Sequence, residues 1–295
     1  MPIEIVESKA IPPGEIAQFE FQHTVIDCAF GIRLFRLSYG TEHHWARRIS
    51  ISVRRAASSA ADTNLVSAFV TIDMEDDSGH QAAHDDSYVI PVCVAVTKNL
   101  DNNTIIGPAN GIAKSQRVTY PKVQSKYHPE TCFQSGFDLS FDSADHQLWQ
   151  AHASCTIAHD ANDGTGEISA PSGLEDQSGN IAQTATVDAG YIVSASGDPG
   201  MDSGMTQNQS MIDSKTVKMS GLTSISSAAV LIARWRINCP TAKDINWIQV
   251  GAEGNIGIQG NVVTIPKLYA VMQDGNGYQQ DNLKSYCAVQ VVAIP

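Results

Sequence analysis

Two short stretches near the start of the chain hold residue types that do chemistry at neutral pH. "TEHHW" (41–45) and "GHQAAHDD" (79–86) together offer Glu42, His43, His44, His80, His84, Asp85 and Asp86. Imidazole nitrogens and carboxylate oxygens form a donor set for Zn²⁺ or another divalent ion. His43, His44, His80 and His84 are therefore candidate ligands if both loops fall at one end of the fold. Their spacing matches no zinc signature, and none of the nine histidines lies beyond residue 159. Histidines in turn-rich surface loops are the simpler reading, and no cofactor is expected.

A second pattern pairs an acid with a tryptophan three or four residues later: Glu42 with Trp45, Asp145 with Trp149, and Asp244 with Trp247. An indole beside a carboxylate at a loop tip can stack a sugar ring and bind its hydroxyls. Three such sites in one chain would bind glycans with avidity. The competing reading makes each Trp an anchor of its own core.

Other chemistry is poorly supported. No G-x-S-x-G elbow, P-loop or dinucleotide fingerprint is present, and "GAEGNIGIQGN" (251–261) reads as a hairpin loop. No catalytic residues are assigned and an enzyme is not expected. Arg33, Arg36, Arg47, Arg48, Arg54 and Arg55 crowd the first third. The net charge of −12 gives no general attraction to nucleic acid or to an anionic membrane, so the arginines are expected to meet the acidic face of a neighbouring copy. The six cysteines show no metal spacing and read as buried thiols rather than as three disulfides.

The elements that must carry these residues come from a repeat. "FRLSYGTEHHW" (35–45), "FDLSFDSADHQLW" (137–149) and "WRINCPTAKDINW" (235–247) each open on an aromatic. Phe35, Phe137 and Trp235 recur at a period near one hundred residues. An acid-glycine phrase follows in each copy: Asp76 with Gly79, Asp176 with Gly179, and Asp274 with Gly277. Asp bonds its own backbone two residues on and Gly supplies a positive φ, so these phrases read as turns between strands. A Ca²⁺ loop would need acids at alternate positions and a closing Glu, and "DGNGYQQDN" lacks them.

Strand signals fill the rest. "WARRISISVRR" puts Ile49, Ile51 and Val53 on one parity and Ser50 and Ser52 on the other. "YVIPVCVAV" (88–96) is almost continuously apolar and so is expected to be buried on both faces. The stretches 97–116 and 196–214, rich in Gly, Asn and polar residues, read as linkers or long loops. The expected fold is all-β: three tandem antiparallel β-sandwich repeats, jelly-roll-like, at 1–110, 111–205 and 206–295. In size and strand count such a unit is similar to the H-type lectins, but the motifs above do not match their binding residues and none is carried over.

These features point to a non-enzymatic structural subunit that partners itself in a filament, appendage or particle of phage, injection-system or shell type. A soluble multivalent lectin with one glycan site per repeat is the alternative. No apolar run is long enough for a membrane span. The N-terminus lacks the marks of a Sec signal, so synthesis in the cytoplasm is expected, with the protein then joining an extracellular appendage or particle.

Overall fold

The computed structural model describes residues 3–56, 63–97, 104–119, 130–142, 144–160, 165–194, 200–208, 212–278 and 280–295. These residues form strands and turns with no helix, in several antiparallel sheets.

The first sheet runs β1 (Ile3–Glu7), β6 (Tyr88–Thr97), β3 (Val25–Ser38), β18 (Trp247–Glu253), β20 (Val262–Asp274) and β16 (Ile212–Lys218). The short β19 (Gly257–Gln259) and β21 (Gly277–Tyr278) also pair with β20. The second sheet runs β7 (Thr104–Ile112), β14 (Thr184–Ser194), β9 (Glu130–Ser140), β4 (Arg48–Arg55), β5 (Leu65–Glu75) and β2 (Ile16–Glu20). The third runs β15 (Asp202–Gln207), β22 (Tyr286–Ile294), β17 (Ser227–Lys243), β10 (Leu148–Ser154) and β13 (Ser172–Glu175). A small sheet holds β11 (Thr156–Asp160), β12 (Thr165–Ser169) and β8 (Ser115–Thr119).

One pairing plan therefore occurs three times. After each long strand (β3, β9, β17) the chain leaves for another sheet, where the next strand pairs with a different long strand. Thus β4 lies on β9, β10 on β17, and β18 on β3. Each long strand also carries a register slip, which skips Arg33, Ser135 and Ala233 respectively. A bulge of this kind bends a strand and increases its twist, letting it pack beside the other two.

The side chains two residues beyond these bulges meet in the centre. Ring centroids are 5.4 Å apart for Phe35 and Phe137, 5.6 Å for Phe35 and Trp235, and 5.1 Å for Phe137 and Trp235. The Trp235 indole N–H donates to Gln134 Oε1 at 3.2 Å, so its one polar group is satisfied within the core. Two residues before the bulges, Phe133 and Leu231 pack against Gly31. A Cβ there would lie 2.8 Å from each of them, so only glycine fits.

The period-two pattern holds along β5 and in part along β4, where Ser50 is buried as well. Along β5 burial alternates residue by residue, and in β4 Ile49, Ile51 and Val53 are buried. The continuous apolar run of β6 faces two cores, with Val89, Cys93 and Ala95 in the larger and Val92, Val94 and Val96 in the smaller. All six cysteines are buried free thiols.

Three expectations need correction. The boundaries at 110/111 and 205/206 fall inside β7 and β15. The sheets are shared between segments rather than confined to them. The described parts of the expected linkers are largely strand: β7, the start of β8, β15 and the start of β16. Residues 98–103, 195–199 and 209–211 lie outside the described residues. These strands read as loops because sheet edges tolerate Gly, Pro and polar residues that an interior strand would not.

Candidate functional site

The three acid-glycine phrases are turns built on buried aspartates. Asp76, Asp176 and Asp274 are each less than a tenth exposed. Asp76 Oδ1 accepts the backbone N–H of Ser78 and of His80, both at 2.9 Å. Asp176 Oδ1 does the same for Ser178 at 2.8 Å and Asn180 at 2.9 Å, and Asp274 Oδ1 accepts Asn276 N–H at 2.6 Å. Gly79, Gly179 and Gly277 take φ values of 94°, 93° and 111°, which a side chain would strain.

What faces the second carboxylate oxygen differs from turn to turn. At Asp176 it is the Asn180 amide at 2.5 Å and His146 Nδ1 at 2.9 Å. At Asp76 it is two imidazoles, His80 Nδ1 at 2.7 Å and His44 Nδ1 at 3.2 Å. Burial alone would raise the Asp76 pKa, but the hydrogen bonds from the His80 side chain and backbone and the Ser78 amide outweigh it and hold the carboxyl below its usual value. Asp76 is thus an ionised acceptor with no proton to give, so His80 turns a protonated Nδ1 towards it; His44 makes its hydrogen bond through Nε2, to Glu42 Oε2 at 3.1 Å.

The opposite edges of the rings face Glu42. The two imidazoles stack with centroids 3.9 Å apart and planes 27° from parallel. His44 Nε2 lies 3.1 Å, and His80 Nε2 3.9 Å, from Glu42 Oε2. One donor atom from each of Glu42, His44 and His80 falls within 4.8 Å of the others. The loop bearing Glu42 and His44 is held to the third segment by a bridge between His44 and Ile245 and by the Asn246 amide, which donates to Gly40 O at 3.0 Å.

Of the four histidines expected as ligands, His44 and His80 are brought together and His43 and His84 are not. His43 lies against Gly275 of the third turn, while exposed His84 faces Asp85 at 3.1 Å. Asp76 was read as a turn residue alone; its second role depends on His44, which is far from it in sequence.

The acid-Trp turns do not form three equal sites. Trp45 is 46% exposed, Trp149 is half-buried and Trp247 is buried. Arg36 lies over the Trp247 ring at 4.5 Å and Tyr278 meets its edge at 5.8 Å. The pairing register explains the difference. Trp247 pairs with Ser38, three residues past the central aromatic, a place held in the other sheets by Arg48 opposite Ser140 and Gln150 opposite Asn238. The acids diverge as well. Glu42 joins the histidines and Asp244 accepts from Gln147 at 2.9 Å. Asp145 has its pKa raised by burial and by nearby Asp77.

The arginines of the first segment find acids within the same chain. Arg48 binds Asp138 through Nε and Nη2, each at 2.8 Å, and Arg54 Nη2 binds Asp188 at 2.8 Å. Arg47 pairs with Glu75 at 3.1 Å, Arg36 with Asp86 at 3.2 Å, and Arg33 with Glu7. Two of these pairs, Arg48–Asp138 and Arg54–Asp188, join the first segment to the second inside one molecule, and the other three lie within the first segment. They do not require a neighbouring copy, and they leave these guanidinium groups already partnered.

No protein-family model matches the chain, and no curated protein is similar to it in sequence. Among solved structures, it is compared with a mavirus penton protein at 8% identity and a TM-score of 0.14, covering 98% of this chain and 99% of that one. It is also compared with VP17, a capsid protein of bacteriophage P23-77, at 10% identity and a TM-score of 0.11, covering 99% and 96%. At these scores the account of the fold rests on the chain's own strand pairing.

Proposed function

We propose that the protein is a non-enzymatic structural subunit that assembles with copies of itself into a particle or appendage. The observation that carries this reading is the cyclic exchange of strands. The chain is read as three copies of a six-strand unit wound about a pseudo-threefold axis, each lending strands to the next. Such a block has three similar flanks, which suits a subunit surrounded by neighbours. Its interlocked sheets resist local opening, because no segment can leave without breaking two of them. Sheet edges and the exposed cross-strand pair of Ile16 and Phe69 offer surface for association.

A glycan-binding role is the second reading, and exposed Trp45 favours it. With Trp247 packed under Arg36, that reading narrows from three sites to one, at Trp45 and Glu42.

Negative-stain electron microscopy and light scattering on untagged protein at micromolar concentration test the first reading. Closed particles, tubes or filaments are expected. A uniform monomer at all concentrations, with binding on a glycan array that Trp45→Ala abolishes, would replace it with the second.

A further inference from the structure

We propose that Glu42, His44 and His80 form a binding site for a divalent transition ion of the zinc type, with Asp76 as its positioning residue. The inference stands apart from the structural-subunit reading and can fail without it.

The argument begins with the buried carboxylate. Asp76 takes two backbone N–H groups on one oxygen and faces two imidazole Nδ1 atoms with the other. That arrangement sets the tautomer of His80, whose Nδ1–H donates to the carboxylate at 2.7 Å, and holds His44 beside it at 3.2 Å. The His80 lone pair is then on Nε2, aimed away from Asp76 and towards Glu42, while His44 hydrogen-bonds Glu42 through Nε2 and must give up that proton when an ion binds. A carboxylate behind a histidine is the usual support for a metal-bound imidazole: it fixes the ring and raises its basicity. Here one buried aspartate hydrogen-bonds His80 and lies beside His44.

The Glu42 spacings straddle those of a tetrahedral site, and the two stacked rings, 27° from parallel, must splay for both Nε2 atoms to reach one ion. With bonds of about 2.0–2.2 Å to nitrogen and oxygen, ligands at the corners of a tetrahedron lie about 3.3–3.6 Å apart. Glu42 Oε2 is 3.1 Å from one Nε2 and 3.9 Å from the other, on either side of that range. Two imidazoles and one carboxylate leave a fourth position for solvent. This mixed set suits Zn²⁺, Co²⁺ or Ni²⁺ better than Ca²⁺ or Mg²⁺, which prefer oxygen ligands alone. Glu42 and His80 are exposed and His44 is partly so, which leaves the site an entry path.

The other two turns lack the second imidazole. Asn180 stands where His80 does, and the third turn has Tyr278 following its glycine. The turn alone would serve structure in all three places; the histidines at the first give it a donor set the others do not have.

The test is calorimetric titration of the full chain with ZnCl₂, alongside Co²⁺ loading followed by visible absorption. One ion per chain and the intense visible bands of tetrahedral Co²⁺ are expected. His80→Ala and Glu42→Gln alter exposed side chains and should each weaken binding at least tenfold while thermal unfolding of the metal-free protein changes little. Asp76→Asn should weaken binding by about 10–100-fold, in the range seen for such supporting groups. His43→Ala and His84→Ala should bind as the parent does. Zn²⁺ affinity no tighter than millimolar, or affinity unchanged in both His80→Ala and Glu42→Gln, would overturn the proposal.

Discussion

Arg48 and Asp138 stand ninety residues apart in the chain and meet in a two-point bond, with Nε and Nη2 each 2.8 Å from a carboxylate oxygen. The pair ties β4 to β9 at the seam where the first segment joins the second, and it raises the Arg48 pKa, chiefly through its hydrogen bonds to Asp138. Both side chains are about a third exposed, so solvent screens the pair. A double-mutant cycle with Arg48→Ala and Asp138→Ala should give a coupling of about 1 kcal/mol at low salt, near the upper end for surface pairs. The coupling should shrink in 1 M NaCl, read from urea unfolding midpoints.

The central aromatics should matter far more. Trp235→Ala removes a fully buried indole that touches both other segments and should cost about 3–5 kcal/mol. Gly31→Ala should cost about 1–3 kcal/mol, because the new methyl meets Leu231 and Phe133 at 2.8 Å. Adding Leu231→Ala to Gly31→Ala should recover part of that loss, since the two sites share one space. A purely additive result in chemical denaturation would deny that contact.

Acid should act on the second turn in a known direction. Burial would raise the Asp176 pKa, but the bonds from Asn180 and the Ser178 amide outweigh it and hold the carboxyl below its ordinary value. A carboxyl depressed in the folded state stabilises the protein above its unfolded pKa of about 3.9 and loses that contribution as pH falls through the folded value. Asp176→Asn should therefore be less stable than the parent at pH 7, by about 1–3 kcal/mol. The gap should narrow steadily below pH 4 when both proteins are followed by urea titration.

Cys239 and Cys287 should be silent in the native protein. Burial pushes Cys239 up to about 12, with Lys243 opposing and Asp274 adding to the rise, and burial raises Cys287 further still. Since the thiolate is the reactive form, an aromatic disulfide reagent at pH 8 should label these two thiols very slowly in the native protein and all six cysteines once urea unfolds it. Rapid labelling of either in native buffer would contradict this packing.

Isolated segments should not fold. A fragment of residues 1–110 keeps β3 but loses β18, its partner from the third segment, and keeps β4 but loses β9. Its circular dichroism should show no cooperative unfolding transition, in contrast to the full chain. A stable, cooperatively folded fragment would mean that the shared sheets are dispensable.

The sequence by itself determined the class of structure and many of its local parts. Alternation in "RISISVRR" set which side chains of β4 face inward, and the unbroken apolar run of β6 marked a strand buried on both sides. Asp76 and Gly79 announced a turn because their geometry is satisfied within five residues. Which strand lies beside which was decided only in three dimensions. A period of two specifies the face a side chain takes but not the partner of its strand, so three separate sandwiches and three interlocked units share one pattern. For the same reason Trp45, Trp149 and Trp247 align in sequence yet fall out of register in space, where the place opposite the residue three past the central aromatic is taken by Arg48, Gln150 and Trp247. His44 reaches Asp76 only because the chain leaves β3 for another sheet and passes the turn on its way, a long-range contact that no local spacing records.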